Sequence, residues 1–111
     1  MIHKDLSAER WFQFTLFEQL ANVGTDISRA IDWRNKGDYD YSHRSFERAL
    51  ELLDLTIRDP KNGKGALREL VRTREALIDY FLYDNLYQTS DAIWHEYFLD
   101  FNYAAARARN K

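Results

Sequence analysis

Leu16, Leu20, Val23, Ile27 and Ile31 recur at alternating spacings of four and three, the pattern of a helix with one apolar face. This run predicts one long helix over about residues 7–36. Ser7 is a candidate N-cap, Leu6 and Trp11 stand at hydrophobic-staple spacing, and Gly37 follows Arg34 and Lys36 as a helix terminus favours. Phe46, Leu50, Leu53 and Ile57 predict a second helix over about 42–59, opening at Ser42 or slightly earlier at Asp38 or Asp40. Pro60 disfavours helical geometry at Asp59 and stops it there. Beyond the turn "KNGKG", Leu67, Leu70, Val71, Leu77, Ile78 and Phe81 predict a third helix over about 64–84. "DNLYQTSD" then leads to a fourth, about 91–108, with Trp94, Tyr97, Phe98, Phe101 and Ala105 facing inward. Nothing alternates with the period of a strand. A second stripe on the first helix, Ala21, Gly24 and Ser28, is small and predicts a closely approaching neighbour, which would explain a mid-helix glycine.

Four amphipathic helices on short connections predict an all-α chain: an antiparallel up-down-up-down four-helix bundle with a long first helix, one domain over residues 1–111. Composition agrees, with 45% apolar and 31% charged residues, the balance of a globular rather than a disordered chain. The absence of cysteine removes disulfides, thiol catalysis and thiolate metal sites together. The N-terminus has no apolar signal core and no run approaches a membrane span, so the expectation is a cytoplasmic protein without membrane contact.

A net charge of −2 points to no polyanionic partner, but the distribution is uneven. Residues 75–103 hold no Lys or Arg, six acidic residues and nine aromatic ones, whereas residues 58–74 hold six basic against two acidic side chains. In an up-down-up-down bundle the termini share an end with the second turn. Arg58, Lys61, Lys64, Arg68, Arg107 and Arg109 would gather there as anion-binding candidates suited to phosphate or RNA backbone. The other end would collect acidic residues with Tyr39, Tyr41, Tyr83 and Tyr87. Tyrosines in turns and at helix ends are candidates for a protein contact surface.

Catalytic signatures are missing: there is no phosphate-binding glycine loop, no H-E-x-x-H and no G-x-S-x-G. Asp40 to His43 and Asp91 to His95 have ligand spacing, but the facing Glu-x-x-His pairs of di-metal bundles are absent, so neither metal nor cofactor is expected. Arg74 falls on the apolar stripe of the third helix, where a charge needs a carboxylate, an anionic ligand or a route to water. Glu18 and Asp54, each flanked by apolar residues at helical spacing, are its candidate partners in a polar core cluster.

"RALELLDLTIRDP" (48–60) and "LRELVRTREALIDYF" (67–81) resemble the short all-helical prokaryotic proteins that carry no assigned activity. In architecture the chain resembles HEPN domains, four-helix bundles often paired with nucleotidyltransferases or acting as ribonucleases. HEPN ribonucleases carry an Arg followed four to six residues later by a His. Neither His43 nor His95 has such an Arg before it, so the resemblance implies no catalytic residue here. The ribosomal intervening-sequence proteins, which self-associate into rings, are similar to a like degree. The expectation is a non-enzymatic bundle that forms a homo-oligomer or docks a protein partner. The alternative is a HEPN-like accessory module that binds RNA through the basic end.

Overall fold

The computed structural model describes residues 7–109, the side chain of Arg109 excepted. Five helices account for most of them: α1 (Ala8–Phe12), α2 (Leu16–Asn35), α3 (Tyr39–Arg58), α4 (Lys64–Leu82) and α5 (Asp91–Arg109). No strand occurs among the described residues, and no helix there is long and apolar enough to cross a membrane.

The single helix expected over 7–36 is in fact two. Thr15 has extended backbone, its hydroxyl accepts from the Glu18 N–H at 3.1 Å, and the Glu18 carboxylate accepts from the Thr15 N–H at 2.9 Å. This reciprocal capping box satisfies two donors that a continuous helix would otherwise have bonded internally, and so restarts the helix at Leu16. Glu18 is therefore engaged at a helix terminus rather than in a core cluster with Arg74. Ser7 does cap α1, accepting from the Arg10 N–H at 3.2 Å. The staple proposed for Trp11 involves Leu6, which lies outside the described residues.

The second helix opens at the earliest of its expected positions, with the Asp38 carboxylate accepting from the Tyr41 N–H at 3.1 Å. Ser42 is buried instead, donating to the Ala30 carbonyl at 2.6 Å. Asp59, extended before Pro60, ends α3 as the proline requires. The third helix ends at Leu82 rather than residue 84, and the fourth runs one residue further than expected.

α2 packs along α3 and α5, while α3 also carries α4 and α1. The core joins Leu20, Val23, Ile27 and Ile31 of α2 to Phe46 and Leu53 of α3, Leu70 and Leu77 of α4, and Trp94 and Phe98 of α5. The small stripe has the expected reason at Gly24. A Cβ added there would lie 2.5 Å from Phe98 Cβ and 2.8 Å from its ring. Phe98 Cβ is fixed to its own backbone, so α5 itself would have to move. Gly24→Ala gains about 1 kcal/mol in helix propensity but incurs overpacking of roughly 1–3 kcal/mol. The expected result is a net loss on the order of 1 kcal/mol in urea unfolding, opposite in sign to the propensity effect.

α4 is rotated from its expected orientation. Leu70, Thr73, Ala76 and Leu77 are its buried residues, with Asp79, whereas Leu67 and Val71 are 40% and 39% exposed. Arg74 therefore stands on the flank of the packed face rather than in its middle.

Candidate interaction surface

α4 meets α3 through Phe81, whose ring stacks on Phe46 with centroids 4.5 Å apart. Away from that contact, Leu67, Arg68, Val71, Arg72 and Glu75 line an open groove of about 470 Å³ together with Tyr87. Glu75 also borders an adjoining hollow of about 350 Å³ made with Ile78, Asp79, Tyr83, Asp84 and Leu86. Leu86 is 81% exposed, more than any other large apolar side chain among the described residues. Scattered exposed leucines need no explanation, but a run along one helix and the loop after it makes a candidate contact surface.

The loop that displays these side chains is firmly built. The buried Asp79 carboxylate accepts from the backbone N–H groups of Leu86 and Tyr87 at 2.9 and 3.0 Å. Asn85 adopts left-handed backbone (φ 56°), as asparagine tolerates. Its side chain donates to the Thr89 carbonyl and accepts from the Thr89 N–H, at 2.8 and 3.0 Å. Thr89 in turn accepts from the Trp94 indole at 2.9 Å, and the Tyr87 hydroxyl donates to Glu75 at 3.3 Å. The loop backbone beneath Leu86 and Tyr87 is thus fixed by satisfied hydrogen bonds, so a contact there would need little backbone ordering.

All four tyrosine candidates are exposed, but they fall into two places. Tyr83 and Tyr87 belong to the surface just described. Tyr39 and Tyr41 open α3, where Tyr41 stacks on Trp33 (5.1 Å) and Lys36 and Arg44 lie over the two rings. The expected acidic character near them is locally offset. Arg34 donates to Asp91 at 2.5 Å and to the Tyr80 hydroxyl at 3.3 Å, Tyr80 also donates to Asp91, and Asn35 donates to Asp91 at 3.2 Å. Burial acts to raise the Asp91 carboxyl, but the hydrogen bonds from Tyr80, Arg34 and Asn35 outweigh it and hold it below the usual carboxylate range. Only the composition around Asp91 was legible locally; its partner Arg34 lies 57 residues away.

Arg74 has a partner in Asp54, its Nε donating to Oδ1 at 2.7 Å, with side-chain exposures of 36% and 46%. So the guanidinium is not an uncompensated core charge. A half-exposed pair contributes about 0–1 kcal/mol. Arg74→Met is expected to cost no more than that in chemical denaturation; a loss several times larger would contradict this placement.

Of the anion-binding candidates, Arg58, Lys64, Arg68 and Arg107 are exposed. Lys61 is engaged within the molecule, its ammonium paired with the Asp59 carboxylate and donating to the Phe12 carbonyl at 3.0 Å. The Arg109 side chain lies outside the described residues. His43 contacts Glu47 at 2.7 Å, and no group of three metal-ligating side chains occurs among the described residues. No protein-family model, no curated protein and no solved structure matches this chain.

Proposed function

We propose that the chain is a non-enzymatic helical module whose role is association with protein, in the first place with itself. The observation that carries this reading is the set of exposed apolar side chains formed by Leu67 and Val71 of α4 with Leu86 and Tyr87 of the loop after it, whose backbone Asp79 holds in place. The scaffold beneath it is read as an up-down-up-down arrangement of α2 to α5. Several pairings support that order: Ala30 with Ser42 and Gln19 with Asp59 for α2 and α3, Asp54 with Arg74 and Phe46 with Phe81 for α3 and α4, and Phe17 with Phe101 and Arg34 with Asp91 for α2 and α5. In each set, later residues of one helix meet earlier residues of the other.

Sedimentation equilibrium of the full chain tests the reading. An average mass rising above 13.3 kDa with concentration is the expected result. A constant 13.3 kDa would contradict self-association. Salt-sensitive binding of single-stranded RNA, lost on replacing Arg58, Lys64, Arg68 and Arg107, would instead favour phosphate docking.

A further inference from the structure

We infer that the occupant of the α4 surface is a second copy of this chain, with α4 lying antiparallel against the partner's α4 about a two-fold axis between residues 72 and 75. The inference rests on the interaction reading above and adds the partner and its geometry.

The exposed side of α4 is divided by charge. Lys64, Arg68 and Arg72 lie on its N-terminal half, Glu75 near its middle and Asp84 just past its end, with Leu67, Val71 and Leu86 exposed among them; Glu69, also exposed, is turned to α5, where it accepts from the Tyr97 hydroxyl at 3.1 Å. Arg68, Arg72 and Glu75 border one groove with Leu67 and Val71, so the charges and the apolar strip share a single face. Tyr87 steadies Glu75 on that face through its 3.3 Å hydrogen bond.

A uniformly acidic or basic partner would match one half of such a face and repel the other. A copy of the same face turned by 180° matches both. In a two-fold contact every pairing occurs twice, so Arg72 meets the partner's Glu75, Lys64 approaches the partner's Asp84, and the Val71 side chains pack near the axis. Parallel pairing would set Arg68 and Arg72 against their own copies, which like-charge repulsion disfavours. α4 has 19 residues and is about 28 Å long. One helix seam with its adjoining loop lies at the small end of specific interfaces. A weak dimer is the consequence, so measurements must extend to high protein concentration.

A charge exchange tests this. Arg72→Glu and Glu75→Arg each place like charges opposite one another twice, and each is expected to weaken dimerisation about tenfold or more. The double variant R72E/E75R restores opposite charges at both positions, and so does an equimolar mixture of the two single variants. Both are expected to regain dimerisation. All of these sites are exposed, and circular dichroism melting is expected to leave the fold unchanged. If the single variants dimerise like the wild type, or the double variant fails to recover, the α4 seam is overturned while self-association stands. If the wild type itself stays monomeric across the series, the interaction reading fails with it.

Discussion

Trp11→Ala is expected to lower unfolding stability by about 3–5 kcal/mol, the range for removing a large buried aromatic. Trp11 is only 3% exposed although its helix, α1, has five residues and could not persist alone in water. Three separate contacts attach it. Its ring lies within the core cluster, its indole N–H donates to the Thr56 hydroxyl at 3.0 Å, and its carbonyl accepts from the Gln19 amide at 3.0 Å. Alanine removes the first two and opens Thr56 and Gln19, both fully buried, to water. Trp11→Phe keeps most of the ring but drops the indole hydrogen bond, so a smaller loss of roughly 1–2 kcal/mol is expected. Urea unfolding of the two variants checks the order. Equal and small losses for both would mean that α1 contributes little to stability.

Lys61→Met is expected to cost about 2–3 kcal/mol at neutral pH, and this cost should shrink in acid. Asp59 is 3% exposed, and its carboxylate takes hydrogen bonds from the Lys61 ammonium, the Lys61 backbone N–H at 3.1 Å and the Gln19 amide at 2.8 Å. Burial acts to raise this carboxyl. The hydrogen bonds from Lys61 and Gln19, with the Lys61 charge, outweigh it, and the group sits below its ordinary value. Such a carboxylate stabilises the fold above the unfolded-state value of about 3.9. That contribution is lost as pH falls through the lower folded-state value, beginning near roughly pH 5.

Removing one partner of a buried pair costs about 3–5 kcal/mol. Here the Lys61 side chain is 40% exposed and Asp59 retains two other donors, so the smaller figure applies. Without the ammonium, the largest interaction holding the Asp59 carboxyl down is gone and the group moves upward. Protonation then relieves the variant at a pH where it still harms the wild type. Melting temperatures of the two proteins should therefore converge as pH falls from about 5 down through the lowered wild-type value. Parallel curves would contradict the pairing.

The sequence was most legible where a single apolar period dominates. The inward residues of α2 and α5 follow from spacing alone, and Pro60 places the end of α3 correctly. The break at Thr15 had a local signal, the T-x-x-E of Thr15–Glu18, which the longer apolar period overrode in reading but not in folding. α4 was misoriented because it carries two overlapping apolar stripes. Leu67 and Val71 compete with Leu70, Thr73 and Leu77, and packing decides between them.

The candidate surface was half legible. Tyr83 and Tyr87 stand out as tyrosines at a helix end and in the connection after it, and both are exposed. Their setting depends on Asp79 reaching forward seven and eight residues to the loop backbone, a contact with no spacing rule. Arg74 looks anomalous only if Leu67 and Val71 face inward; the buried face keeps Leu70 and Leu77 but turns toward Thr73 and Ala76, which leaves Arg74 at its flank beside Asp54.

Hydroxyl-radical footprinting of the full chain at low and high concentration tests the central claim most directly, because it reports which side chains become covered. The expected result is protection of Leu67, Val71, Leu86 and Tyr87 as concentration rises, with Tyr39 and Tyr41 oxidised equally throughout. Protection confined to Tyr39, Tyr41 and Trp33, or no protection anywhere, would contradict the assignment of the α4 surface.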